Sequence, residues 1–167
     1  MAAKGDTPRL PRGVPWITKE GTLDLREFPI DSVLKQGLGE KEEKFRTGCR
    51  LLGSMHRLGR AEAGVYLLGL LRYWRHDLSR LAVVVENLAL CHTPVCADAL
   101  FSELRRVPSS NETRGYLKTV LKSLSHFPVE LVADGLEELA DDRSFSYKMR
   151  HKFRELLAEM EGRARLI

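Results

Sequence analysis

The run Arg72-Tyr73-Trp74-Arg75-His76 holds the side chains best suited to bind another molecule, because it places two aromatic rings between cationic groups. Trp, Tyr and Arg dominate the binding energy of protein interfaces, and aromatic rings also stack on nucleic-acid bases. In the structural alternative, one ring is buried at a helix end, where Arg75 and His76 complement the negative pole of the helix dipole. We take Arg72, Tyr73, Trp74 and Arg75 as candidate partner-binding residues.

A basic stripe precedes this run. Arg46, Arg50 and Arg57 are spaced at i, i+4 and i+11, which places them along one side of a helix. Such a stripe could neutralise phosphates with a salt-dependent affinity, or it could contact an acidic protein. A solvated helix face is the structural alternative. We add these three arginines to the candidate partner-binding residues.

An acidic stripe follows later in the chain. Its members are Glu130, Asp134, Glu137, Glu138 and Asp141. One interpretation is that it forms ion pairs with basic residues of the last helix, namely Lys148, Arg150, Lys152 and Arg154. The other interpretation is a docking face for a basic partner. A nucleic acid is not expected at this face, because acidic side chains would repel its phosphates.

Catalytic and metal chemistry have little support in the sequence. Structural zinc takes four ligands, whereas Cys91-His92 and Cys96 have no second cluster to complete a site. None of the five histidines has a Ser or Cys partner in a recognisable motif, and a glycine-rich phosphate loop is lacking. We therefore predict a non-enzymatic protein that needs neither a metal nor a cofactor.

The composition limits the class of protein. The chain has 167 residues, of which 43% are hydrophobic and 30% charged, with a formal net charge of +4. These values exclude a fully disordered chain or a collagen-like fibre. The apolar runs are shorter than the ~20 residues of a membrane helix, and residues 1–15 lack the apolar segment of a signal peptide. Three cysteines, an odd number, indicate a reducing compartment, and we expect a cytoplasmic location.

Helices must position the candidate residues. From residue 41 onward, apolar residues recur at helical spacing with little strand-like alternation. Asp77 is predicted to cap the third helix, Pro94 to begin the fourth and Ser144 to cap the last. The seven predicted helices span 41–57, 60–74, 78–91, 95–106, 111–126, 129–141 and 145–162, and residues 163–167 form a C-terminal tail.

Residues 1–40 differ from the rest of the chain. This segment holds four of the seven prolines and several glycines. We predict an extended N-terminal arm, with at most one helical turn near Asp31–Gln36 that Asp31 could cap. The apolar residues in its second half indicate that this part packs against the helical domain.

A repeat runs through the predicted helices. Arg46, Arg80, Arg114 and Arg150 are separated by 34, 34 and 36 residues. Each is followed three residues later by an apolar side chain, in turn Cys49, Val83, Leu117 and Phe153. Over about residues 41–162 this pattern resembles the HEAT/armadillo-like superfamily of helical repeats. A tetratricopeptide array would have the same period, but this sequence lacks the Trp and Tyr positions that such an array is expected to have. A non-repeating helical bundle is the other alternative.

The resemblance implies an all-α fold, a short right-handed superhelix of stacked antiparallel helix pairs with one surface used for binding. Proteins of that superfamily are mostly scaffolds for protein partners, although some bind nucleic acid. One branch resembling the superfamily contains DNA glycosylases with a catalytic tryptophan and aspartate. Trp74 with Asp77 is the nearest such pair in this sequence, but it does not match that arrangement. We therefore expect a binding or scaffold module for a protein partner. Nucleic-acid binding through the same basic surface is the alternative, and a homodimer formed by stacked end repeats is also open.

Overall fold

A computed structural model describes residues 14–166, and within this range the fold is all-α, as predicted. The described residues contain no strand, and their one β-bridge joins Ile17 to Leu23. The helices are α1 (Ile30–Gly37), α2 (Glu42–Arg57), α3 (Ala61–Tyr73), α4 (Leu78–Leu88), α5 (Pro94–Arg106), α6 (Arg114–Leu124), α7 (Val129–Asp141) and α8 (Tyr147–Ala164).

The helices form two layers. In the first layer α2 packs on α4 and α4 on α6, while in the second α1 packs on α3, α3 on α5 and α5 on α7. Tight contacts of α2 with α1 and with α3 join the layers, and α8 packs on α7. Successive helices from α1 to α7 thus alternate between the two layers, as in the helical stack that the sequence predicts. In the described part of the chain, no helix combines the length and the apolar composition that a membrane crossing requires.

One continuous apolar core connects the layers. Every helix contributes to it, as shown by the buried side chains of Val33, Phe45, Leu67, Leu81, Leu100, Leu124, Leu136 and Phe153. The apolar residues that follow the four spaced arginines are also buried, namely Cys49, Val83, Leu117 and Phe153. Removing such side chains from water is the main favourable contribution to the stability of this stack.

Local signals explain where several helices begin. The Asp77 carboxylate accepts a hydrogen bond from the Arg80 backbone N–H at the start of α4, which confirms the predicted cap. The predicted cap of the last helix is wrong by two residues, because Ser146 rather than Ser144 caps α8. The reason is a local turn, in which the Asp142 carboxylate accepts a hydrogen bond from the Ser144 N–H at 2.8 Å.

The N-terminal arm is more helical than predicted. Residues 1–13 lie outside the described range, but Ile30–Gly37 forms a helix of about two turns rather than at most one. Pro29, and not Asp31, precedes its first residue. The helix packs so closely on α2 that a Cβ atom at Gly48 would lie 2.7 Å from the Gly37 nitrogen. This close approach positions the second half of the arm against the helical domain, as expected.

Candidate protein-binding groove

A groove between α3 and α5, with a volume of about 880 Å³, contains two of the predicted binding residues. We call it the α3–α5 groove. Val65, Gly69 and Arg72 line it from α3, because their i, i+4 and i+7 spacing places them on one side of that helix. Val95 and Arg106 line it from α5.

One end of the groove is mostly apolar, although the exposed Asp98 also lines it, about one turn after Val95. Val65 and Val95, near the starts of their helices, are 64% and 62% exposed. One turn along α3, Gly69 has open space where a side chain would stand, so a partner's backbone can approach closely. Removing the exposed part of one such valine from water is favourable by roughly 1–2 kcal/mol, before the costs of association. This end is therefore suited to receive apolar side chains.

The other end of the groove is basic. Arg72 and Arg75 are exposed and make no ion pair with residues 14–166. Arg106 differs, because its guanidinium forms two hydrogen bonds with the Glu103 carboxylate and donates a third, at 3.3 Å, to the Arg75 carbonyl. The positive charge of Arg106 is thus compensated within the protein. Arg72 and Arg75 carry the charge that a ligand could neutralise.

Glu103 anchors this end of the groove. Its side chain is buried, and Tyr116 on α6 donates a hydrogen bond to it at 2.6 Å. Burial raises the pKa of the Tyr116 hydroxyl, and the Glu103 carboxylate that it faces raises it further. Glu103 and Arg106 are three residues apart on a helix, which the sequence shows, but nothing in the sequence brings Tyr116 to them. The network holds Arg106 in place beside the two free arginines.

Trp74 has a structural role, which the sequence analysis left as the alternative. Its indole N–H donates a hydrogen bond to the Gly37 carbonyl at 3.0 Å, and its ring centroid lies 3.9 Å from the Arg80 guanidinium carbon. Tyr73 is 61% exposed and contacts Trp74 edge to face, outside the groove. Of the four residues predicted in this run, Arg72 and Arg75 line the groove.

The basic stripe of α2 is separate from the groove. Arg46, Arg50 and Arg57 are exposed on a helix of the first layer, and none of them lines the α3–α5 groove. Arg46 is already paired with Glu42 at 2.7 Å. At the rise of an α-helix, Arg46 and Arg57 are about 16 Å apart along the axis. The structure therefore does not gather the seven predicted basic and aromatic residues into one site.

The five residues of the acidic stripe lie exposed on α7. Glu138 pairs with Arg105 at 2.9 Å, and Asp141 pairs with Arg154 at 3.2 Å. Arg154 is thus the one predicted α8 residue that pairs with the stripe within residues 14–166. Lys148, Arg150 and Lys152 form no ion pair there. The intramolecular interpretation applies to the end of the stripe, while Glu130, Asp134 and Glu137 stay available to solvent.

The cysteines lie away from this groove. All three are free thiols with buried side chains, and burial raises the pKa of Cys49 to about 12. Across residues 14–166, no set of three or more His, Cys, Asp or Glu side chains is arranged to hold a metal ion. Packing accounts for the positions of these thiols.

Comparison with protein-family models, with curated proteins and with solved structures gives no match to this chain. The α3–α5 groove has a mostly apolar end and a basic end, and at the basic end Glu103 holds Arg106 of α5 in place.

Proposed function

We propose that this protein is a non-enzymatic binding module and that its α3–α5 groove docks a segment of a protein partner. The observation that carries the proposal is the combination of two exposed valines with two unpaired arginines along one groove. Apolar area supplies affinity in such a site, and the charged end fixes the register of the bound segment.

The groove defines the chemistry of the segment that it would bind. Branched or aromatic side chains would cover Val65 and Val95, and a carboxylate would lie against Arg72 and Arg75. Arginine forms paired, charge-assisted hydrogen bonds with a carboxylate, which makes this end selective for Asp, Glu or a chain terminus. Gly69, between the two ends, leaves room for the segment's backbone.

The wider setting of this function is part of the proposal. The resemblance to HEAT/armadillo-like repeats supports a scaffold that presents one helical surface to a protein. The free, buried cysteines fit a reducing compartment, and we propose that the protein acts in the cytoplasm.

Nucleic-acid binding is the competing function, and it makes a different demand on the groove. Phosphates would use Arg72, Arg75 and the α2 stripe but would gain little from exposed valines. Replacing both valines by lysine should therefore weaken a protein complex and strengthen a nucleic-acid complex. This opposite response separates the two functions with one variant.

The experiment is cross-linking capture from a nuclease-treated native extract, quantified by mass spectrometry. The wild-type protein is compared with the Val65→Lys/Val95→Lys variant and with a Leu58→Lys/Leu166→Lys control, which changes exposed apolar residues elsewhere by the same charge. We expect a partner protein that the groove variant captures at least about 10-fold less well, a loss of about 1.4 kcal/mol or more. The control should capture it normally.

Equal capture by wild type and groove variant would contradict the proposal, as would the lack of any protein that prefers the wild type. The second measurement is fluorescence anisotropy with labelled DNA and RNA at about 50 and 200 mM salt. Binding that falls about 10-fold over this range, weakens in Arg46→Glu, Arg50→Glu and Arg72→Glu, and strengthens in the lysine variant would establish the nucleic-acid function instead.

A further inference from the structure

A second groove lies between α6 and α8, at the other end of the stack, with a volume of about 560 Å³. The two helices flank it without packing tightly against each other. The two helices run in the same direction. Ser109 and Ser146, which precede α6 and α8, line one cavity. At the other ends of the two helices, the Arg163 guanidinium donates a hydrogen bond to the Ser125 carbonyl at 3.3 Å. We call this second groove the α6–α8 groove.

The end formed by the helix N-termini is strongly basic. Four cationic side chains line it, namely Arg114, Lys118, Lys148 and Lys152. None of them forms an ion pair within residues 14–166, and Arg114 bonds only to the neutral Asn111 amide oxygen, at 2.8 Å. The positive poles of two parallel helix dipoles add to this charge. A ligand that reaches this end must therefore carry negative charge.

Apolar side chains line the floor of the groove beside the charged ones. Leu117 and Leu121 from α6 face Met149 and Leu156 from α8. Leu117 and Leu121 are four residues apart, and Met149 and Leu156 are seven apart, so each helix presents its two apolar side chains on one face. Methionine adapts its shape to different apolar partners, which suits a binding surface. The floor thus matches an apolar stripe rather than a single inserted side chain.

On α8, the lining becomes acidic after Lys152, but these carboxylates do not pair with the basic side chains of the groove. Glu155 lies 3.2 Å from His151, and Glu159 lies 3.8 Å from Arg163, so both carboxylates have neighbours along α8. Their presence in the groove opposes a nucleic acid, since a phosphate backbone lying along it would meet both carboxylates. The charge pattern instead selects a ligand that is acidic at one end and not at the other.

We propose that the α6–α8 groove docks an amphipathic helix of a partner protein, with acidic side chains at the end that meets Arg114, Lys118, Lys148 and Lys152. Its apolar stripe would cover the half-buried Leu121, Met149 and Leu156, above the buried Leu117, in the helix-in-groove mode of recognition. This site does not depend on the α3–α5 groove, because the two grooves share no lining residue.

Two other occupants fit less well. Residues 1–13 of the chain carry three basic side chains and one acidic one, so their charge does not complement the basic end. The acidic stripe of α7 on a second copy has the right charge, but its apolar residues Val132, Leu136 and Leu139 are buried in its own core. A second copy would therefore leave the apolar floor uncovered.

The test uses a displayed library of amphipathic peptides of about 16 residues, just above the length below which isolated helices are marginal in water, with the charged positions randomised. Selection is carried out on the full chain, and selected peptides are titrated by fluorescence anisotropy. We expect them to combine an apolar stripe with Asp or Glu at one end. The Lys118→Glu/Lys152→Glu variant should weaken their binding about 10-fold or more, because two attractive contacts become repulsive.

The matched control is Lys44→Glu/Lys122→Glu, which makes the same charge change at two exposed lysines outside the groove and should alter binding by less than about two-fold. Circular dichroism verifies that both variants fold. Selected peptides without acidic residues, or equal weakening by both variants, would overturn the proposal. So would a DNA or RNA oligomer that competes through Lys118 and Lys152, or a dimer in sedimentation that Glu130→Lys/Asp134→Lys dissociates.

Discussion

The two ends of the helical stack use their basic side chains in opposite ways. Near α1 the Arg80 guanidinium donates hydrogen bonds to the Gly39 and Glu40 carbonyls, and Arg60 donates to the Leu25 and Phe28 carbonyls. Near α8 four cations face an open groove without ion pairs. Arg60 and Arg80 thus stabilise the fold beside α1, whereas the four cations of the α6–α8 groove stay available for binding.

The difference follows from where backbone carbonyls lack partners. The last carbonyls of a helix have no partner within the helix, and α1 ends beside Trp74, which directly follows α3. The Trp74 indole N–H supplies a donor to the Gly37 carbonyl at the end of α1. The Arg80 guanidinium, in contact with the Trp74 ring, supplies donors to the Gly39 and Glu40 carbonyls just after this helix. At the starts of α6 and α8 the unpaired backbone groups are N–H donors, which a cation cannot satisfy. The cations there are consequently left without a structural role.

The largest expected effect is the loss of Arg80. Arg80→Ala removes two charge-assisted hydrogen bonds and the cation–π contact with Trp74, and we expect it to lower the free energy of unfolding by about 2–4 kcal/mol. Urea unfolding followed by circular dichroism measures the change. Arg72→Ala, which deletes an exposed arginine, is the control and should stay within about 0.5 kcal/mol. Equal losses for the two variants would remove the distinction between the two uses of arginine.

The second effect concerns the packing of α1. Gly48→Ala would place a Cβ 2.7 Å from the Gly37 nitrogen and 3.0 Å from the Val33 carbonyl oxygen, so α1 would have to move. We expect destabilisation by about 1–3 kcal/mol. Gly69→Ala is the matched control, because its Cβ would meet open space and alanine favours a helix by about 0.5–1 kcal/mol. Thermal unfolding should therefore show opposite shifts, and shifts of the same sign would contradict the close packing of α1 on α2.

Much of the fold could be predicted from the sequence, because helical periodicity and breakers are local signals. The predicted helices correspond to α2–α8 to within three residues at either end, and Asp77 caps α4 as expected. The second turn of α1 was missed because Gly37 and Gly39 suggest a loop. What retains Gly37 at the end of this helix is tertiary, namely the Trp74 indole that bonds to its carbonyl.

Less of the candidate sites could be predicted. Arg72 and Arg75 were selected by residue type, but Val65 and Val95 were not, since a sequence does not show which side of an apolar helix is left uncovered. Lys148 and Lys152 were assigned to the acidic stripe of α7. The packing of α7 on α8 brings only Asp141 within reach of Arg154, and this alignment of two helices is not encoded in their spacing.

The smallest expected effect concerns Arg106, an arginine that lines the binding groove but is fixed by its own protein. Tyr116→Phe removes the hydrogen bond to Glu103 and should cost about 0.5–1.5 kcal/mol at neutral pH. The pKa of Tyr116 is raised by burial in the folded state, so its contribution is complete below the unfolded value of about 10 and is lost as the pH rises above it. The stability gap between wild type and variant should therefore narrow in urea unfolding above about pH 10.

Tyr73→Phe, at an exposed hydroxyl, is the control and should change stability by less than about 0.5 kcal/mol. A gap that stays constant with pH would mean that the Tyr116 hydroxyl reaches solvent, and that Glu103 and Arg106 alone fix the basic end of the α3–α5 groove.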